Sequence, residues 1–183
     1  MARLHEHQGK TLLKQFGIAV PEGRLAATPR QAHDAAAQIG GTVVIKAQAW
    51  VTGRAGLGAI RFAATPAEAE AAAAAILGMS IGQFTVTHVL VEAQVAIARE
   101  FYAGIIIDDR ARAPVVIFSS IGGTGIEDIA MAHPDRVVRH VVDIRAGLRD
   151  FEARDMARRA GIRGKLQLKL GETVARLYDA ARA

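Results

Sequence analysis

Lys46 stands alone among apolar residues in Val43-Val44-Ile45-Lys46-Ala47, and three glycines follow it in the next stretch, Gly53, Gly56 and Gly58. A lysine on a strand fixes a point charge over a sheet. Glycines in the succeeding turn let backbone N–H groups approach anionic oxygens with no Cβ in the way. That combination suits a polyphosphate, and nucleotide binding is the leading expectation. It is not a Walker loop, in which the lysine follows the glycines and a helix comes next. The spacing G-x-x-G-x-G also departs from the dinucleotide fingerprint, because alternating β-type residues follow it. Alone, the same residues also describe a β-hairpin with a long loop and a solvated strand lysine.

A second glycine-rich stretch, Ser119-Ser120-Ile121-Gly122-Gly123-Thr124-Gly125, runs into Ile126-Glu127-Asp128-Ile129, a short helical start. It reads either as a second ligand loop or as a strand-to-helix turn. The six histidines, His5, His7, His33, His88, His133 and His140, have no metal-ligand spacing and are read as structural. With no cysteine, a disulfide scaffold, a thiolate metal site and a cysteine nucleophile are all excluded.

The net charge of +5 is unevenly placed, with ten Lys/Arg against five Asp/Glu from Arg145 to Ala183. Nucleic-acid binding would want those cations on one face with aromatics between them. Only Phe151 and Tyr178 occur there and acids are interspersed, which favours a solvated helical face or one meeting an acidic partner. The polar N-terminus lacks the apolar core of a signal peptide, and no stretch approaches a membrane span, so a cytoplasmic protein is expected. At 183 residues, 51% hydrophobic and 22% charged, the chain can bury a real core.

The elements that must position Lys46 are legible from their punctuation. Leu4, Leu12, Leu13 and Phe16 share one helical stripe that Gly17 and Pro21 end. Thr28-Pro29-Arg30-Gln31 and Thr65-Pro66-Ala67-Glu68 each put a Thr N-cap before a proline, with Gln or Glu three residues on, and each opens an alanine-rich helix. Strands are expected around 43–48, 59–63 and 85–95. Segments 100–108 and 115–119 read as a hairpin whose connection ends in Pro114, outside the strand. A further strand over 137–142 and helices over 151–160 and 165–181 complete an α/β reading.

Several separated motifs resemble one family. Leu4-His5-Glu6-His7-Gln8-Gly9-Lys10 is similar to the opening of the β subunits of succinyl-CoA synthetase and related ADP-forming acyl-CoA ligases, malate-CoA ligase and citrate-cleaving relatives included. Lys46-Ala47-Gln48 with Gly53-Arg54 and Gly58, Val91-Glu92 through Arg99-Glu100-Phe101-Tyr102, and the loop from Ser119 to Glu127 follow in the same order. The resemblance implies an ATP-grasp fold of α/β (α+β) type, in which two subdomains clasp a nucleotide. Residues 20–95 would form a complete lid subdomain. Residues 1–19 and 96–183 would form the other subdomain, truncated at its C-terminal end.

By the same resemblance Lys46 would contact phosphate oxygens and the backbone of Gly53, Arg54 and Ala55 would cover the phosphates. Glu92 and Val95 would border adenine at the hinge, and Glu100 would lie near the ribose or phosphates. ATP or ADP is the implied ligand, and Mg²⁺ is expected in a complete family member on ligands beyond this chain. The implied partner is an α-type CoA-binding subunit or domain carrying a phosphohistidine. No catalytic residue is assigned within this chain.

Two departures concern charge. Relatives have a lysine in the first glycine loop where this chain reads Gly53-Arg54-Ala55-Gly56-Leu57-Gly58-Ala59, and acidic residues where Ile121 and Gly125 stand. The most serious departure is that the strand and aspartate supplying the family's Mg²⁺ ligands lie beyond this chain, and magnesium supplies much of the charge neutralisation in phosphoryl transfer. The chain is therefore expected to be inactive as a ligase by itself. A non-catalytic nucleotide-binding or assembly module is the alternative, and a basic nucleic-acid-interacting protein a more distant one.

Overall fold

The computed structural model describes residues 3–50, 54–123 and 126–183, and of Arg54 and Ala55 it describes the backbone alone. Two compact units result, Met1–Gln15 with Ala19–Ala96, and Phe16–Ile18 with Ile97–Ala183.

The first unit runs α1 (Glu6–Gln15), β1 (Gly23–Ala26), α2 (Pro29–Ile39), β2 (Val43–Ala47), a 3₁₀ turn (Arg54–Leu57), β3 (Ile60–Ala63), α3 (Pro66–Ile76), β4 (Ser80–Ile81), β5 (Phe84–Thr85) and β6 (Val89–Ala93). Both Thr-Pro signals do what their chemistry requires. Thr28 Oγ1 accepts from Gln31 N and Thr65 Oγ1 from Glu68 N, each at 3.2 Å, which satisfies donors that the first helical turn leaves free. Gln31 and Glu68 reach back to Ala27 N and Ala64 N at 2.8 Å.

The sheet has the order β1-β6-β2-β3 with antiparallel neighbours. Side chains alternate across a strand, so Val43, Ile45, Ala47, Val89 and Val91 all enter one core with Ala32, Ala36, Ala69, Ala73 and Ile76 of α2 and α3. The small helical residues let both helices lie close to the sheet. Val44, Lys46, Leu90 and Glu92 consequently share the opposite face. The register Val44↔Glu92 and Lys46↔Leu90 makes Lys46 and Glu92 diagonal neighbours there.

The structure differs from the sequence reading at several elements. The strand expected over 85–95 is divided: β5 pairs with β4 in a small hairpin, and β6 begins only at Val89. β1 was not foreseen, because three of its four residues are exposed and give no alternating apolar signal; its pairing with β6 defines it. The division into compact units also groups α1 with 19–96, whereas the expected subdomains grouped 1–19 with 96–183.

The second unit contains β7 (Tyr102–Asp108), β8 (Ala113–Ser119), α4 (Ile126–Ala132), β9 (Val137–Val141), α5 (Asp150–Arg159) and α6 (Gly164–Arg182). β7, β8 and β9 form an antiparallel sheet whose Val116, Phe118 and Val138 pack with Met156, Ala157, Val174 and Tyr178 of α5 and α6. Pro114 lies inside β8, opposite Ile107, instead of before it. Its missing N–H costs no rung of the other ladder, because β8–β9 pairing begins one residue later at Val115↔Val141. The Pro114 carbonyl still accepts from Val142 N at 2.8 Å.

α5 and α6 meet at Gly171, where a Cβ would lie 2.5 Å from Arg154 Cγ and 2.9 Å from Arg154 Cα. Backbone cannot yield as a side-chain tip does, so Gly171→Ala should cost about 1–3 kcal/mol through separation of the two helices. Urea unfolding of the variant checks this, and an unchanged midpoint would refute it.

Candidate functional site

The open face of the first unit's sheet carries an alternating ring of charge. Lys46 Nζ donates to Glu92 Oε1 at 2.6 Å and to Glu6 Oε1 at 3.1 Å. Lys10 Nζ pairs with Glu92 Oε2 and, at 3.1 Å, with the same Glu6 oxygen. Two ammonium groups and two carboxylates thus neutralise one another. Glu6 and Lys10 meet because they are four apart on α1, and Glu92 and Lys46 meet through the β2–β6 register.

The members differ in burial. The Glu92 side chain is 5% exposed, while Glu6, Lys46 and Lys10 are exposed by 20%, 20% and 23%. Burial acts to raise the Glu6 pKa, but the charges and hydrogen bonds of Lys46 and Lys10 prevail and bring it from 4.5 to about 2. Burial likewise acts against the Lys46 ammonium, and the hydrogen bond to Glu92 with the charge of Glu6 overcomes it, leaving the Lys46 pKa above its ordinary value. Both groups are held in their charged forms.

Further interactions fix α1 at this place. The buried Gln48 accepts from His7 N at 3.1 Å through Oε1 and donates through Nε2 to the Lys46 carbonyl at 3.2 Å. His5 stacks on Trp50 with ring centroids 4.5 Å apart, and Phe84 meets Trp50 edge-on at 5.7 Å. Beside the charged ring lies a groove of about 590 Å³ bordered by Lys10, Lys14, Arg24 and Glu92, with Leu25 and Leu90 in its lining.

Of the residues expected to form a site, Lys46 and Glu92 come together directly. Val95 stands exposed, past the end of β6. Gly53 lies outside the described residues. Arg54 opens the 3₁₀ turn and Ala55 follows, with their side chains outside the description. Glu100 belongs to the second unit, where the second glycine loop rests against it. A Cβ on Gly122 would lie 2.5 Å from Glu100 Cβ and 2.6 Å from its carbonyl carbon, so only glycine fits. In that loop Ser119 Oγ accepts from Ile121 N at 3.1 Å, while Ser120 Oγ is buried without a partner among the described residues. Thr124 and Gly125 lie outside the described residues.

Sequence reasoning missed Glu6, Lys10 and Gln48 as parts of this arrangement. The Glu6/Lys10 spacing was a usable signal for an ion pair, yet nothing local says that the pair lies on the sheet bearing Lys46. Among the described residues no group of three or more His, Cys, Asp or Glu could hold a metal ion, and no helix is long and apolar enough to cross a membrane.

The sheet carries Lys46 on the face away from α2 and α3, with a glycine-bearing connection after that strand in the sequence, and comparison with known proteins identifies the fold. Residues 3–183 match the family model described as ATP-grasp domain, and the chain belongs to that family. It is homologous to the N-terminal part of succinate–CoA ligase subunit β. It is 44% identical over 177 residues to the GDP-forming succinate–CoA ligase subunit β of Thermus thermophilus, covering 97% of this chain and 47% of the relative. It is 41% identical over 179 residues to the ADP-forming subunit β of Rubrobacter xylanophilus, covering 98% and 47%. The chain therefore spans about half the length of the curated relatives it matches. A solved structure of the dinucleotide-forming acetyl-coenzyme A synthetase 1 of Ca. Korarchaeum cryptofilum shares the fold with a TM-score of 0.77 and 21% identity, over 98% of this chain and 81% of that one.

The ring has two measurable consequences. Glu92→Ala leaves two largely desolvated ammonium groups with one carboxylate between them and should destabilise the chain by about 1–3 kcal/mol at neutral pH, read by urea unfolding. Glu6 has a folded pKa below its unfolded value of 4.5, so its contribution is complete above about pH 4.5 and is lost as pH falls towards 2. Unfolding free energy should fall more steeply with acidification over that window in the wild type than in Glu6→Gln. Equal slopes would contradict the assignment.

Proposed function

We propose that this chain is the nucleotide-binding portion of an acid–CoA ligase of the succinate–CoA ligase kind. The observation that carries the reading is Lys46, an ammonium held charged and part-exposed on the face of an ATP-grasp sheet away from α2 and α3. In this reading Lys46 contacts phosphate oxygens by charge-assisted hydrogen bonds, and the backbone of Gly53, Arg54 and Ala55 covers the phosphates. Glu92 and Val95 border the nucleobase, and Glu100 serves the ribose or phosphates. The relatives' names support both ADP-forming and GDP-forming chemistry, so the proposed ligand is a purine nucleoside di- or triphosphate.

The proposed overall reaction joins an acid to CoA at the expense of a nucleoside triphosphate and releases the diphosphate and phosphate. An α-type partner would bind CoA and carry the phosphorylated histidine. Mg²⁺ would neutralise phosphate charge in the complete assembly. The described residues do not suit that ion, and what they offer phosphate is ammonium groups and backbone N–H.

One observation favours a second reading, a nucleotide-binding or assembly module without catalysis. The Lys46 ammonium is already engaged by two carboxylates, and the first glycine loop has no lysine to assist it.

Calorimetric titration of ATP, ADP and GDP, with and without Mg²⁺, tests the proposal. Saturable binding that falls by at least tenfold in a folded Lys46→Met variant is expected. Equal affinity in the two proteins would refute Lys46 as the phosphate contact. Nucleotide binding without acyl-CoA formation, in the presence of a phosphohistidine-bearing CoA-binding partner, would select the non-catalytic reading.

A further inference from the structure

We propose that Lys10 is a second phosphate-binding cation beside Lys46, and that the Glu6 carboxylate occupies the place taken by a phosphate group of the ligand. This inference rests on the reading of Lys46 as a phosphate contact and extends it to α1, a helix that no feature of the first glycine loop would implicate.

The geometry of the ring supplies the argument. One oxygen, Glu6 Oε1, lies 3.1 Å from both ammonium nitrogens, as a phosphate oxygen does when it bridges two lysines. Lys10 and Lys46 are in turn held together from the other side by the two oxygens of Glu92. The pair is thus preorganised around a single anionic oxygen, and Glu6 now provides it.

The two carboxylates are not equivalent. Glu92 is 5% exposed and comes from a strand paired on both sides, so its removal would strand two ammonium groups under the sheet face. Glu6 is 20% exposed and stands in the first turn of α1, where a change of side-chain rotamer takes the carboxylate to water. An incoming phosphate group replaces it charge for charge and brings more acceptor oxygens. Protonation does not assist the exchange near neutral pH, because the same lysines depress the Glu6 pKa to about 2.

Open space adjoins the ring at Lys10. The 590 Å³ groove is bordered by Lys10 and Glu92, with Lys14 and Arg24 adding positive charge along it, while Glu6 and Lys46 stand outside its lining. A polyanion entering from the groove meets Lys10 before it meets Lys46. Lys10 therefore links the groove to the candidate phosphate contact.

A purely structural ring, one that only rivets α1 to the sheet, makes a different forecast. In that case the loss of either charge on α1 loosens the helix, and Glu6 and Lys10 variants change binding in the same direction or in none. Displacement of Glu6 by phosphate requires opposite directions.

The test is calorimetric titration of ADP, and separately of inorganic pyrophosphate, into the 183-residue chain and into Lys46→Met, Lys10→Met and Glu6→Gln, with circular dichroism confirming the fold. Lys10→Gln, which keeps a donor for Glu92 while losing the charge, replaces Lys10→Met if the latter unfolds. Lys10 variants should bind both probes about tenfold more weakly, and Glu6→Gln about tenfold more tightly. The use of pyrophosphate separates phosphate recognition from contacts to the base and ribose, and a change seen with ADP alone would overturn the proposal. Wild-type affinity in the Lys10 variants, or no gain in Glu6→Gln, while Lys46→Met still loses binding, would overturn it and leave the role of Lys46 standing. Unchanged binding in Lys46→Met would remove both.

Discussion

The sharing of one buried carboxylate, Glu92, between two lysines from different elements is the constraint that organises the first unit. A carboxylate this deep cannot persist without partners, because desolvation of the charge would cost several kcal/mol. Lys46 reaches it along the sheet and Lys10 reaches it from α1. Glu6 returns a negative charge, so two carboxylates face two ammonium groups, and the Glu6 and Lys46 pKa values are both moved in favour of the charged forms. The position of α1 on the face away from α2 and α3 follows from this pairing and from Gln48, whose Oε1 accepts from the helix at His7 N.

The sheet divides its two faces between apolar packing and charge. Valine, isoleucine and alanine at alternate positions of β2 and β6 are covered by α2 and α3, whose alanines allow close approach. The intervening positions put Lys46 and Glu92 on the other face, away from the apolar core. A one-residue slip of β6 against β2 would turn Glu92 into the alanine-rich layer and separate it from Lys46, and this is why the register is firmly specified.

In the second unit the organising principle is close backbone approach. Gly122 sits against Glu100, and Gly171 sits against Arg154, each at a distance that excludes a side chain. The first brings a glycine loop onto a residue proposed to serve the nucleotide, and the second lets α5 and α6 cross tightly. In both places a glycine is required by space, so its presence is informative only when its neighbour is known.

Local signals carried much of the architecture. The Thr-Pro caps, the alanine-rich helices, the strands about Lys46 and the hairpin before Ser119 all follow from short-range chemistry, and the ordered motifs are sufficient to recognise the family. Short-range chemistry failed where pairing decides structure: β1 exposes three of four residues, Pro114 is admitted to β8 because the next ladder starts at Val115, and β4 with β5 interrupts an apolar run. At the site, the sequence by itself determined that Lys46 is a strand lysine near glycines. Only the tertiary structure decided that Lys10, Lys46, Glu6 and Glu92 form one ring, because residues up to 82 positions apart become neighbours through strand register and helix docking, which no local pattern encodes.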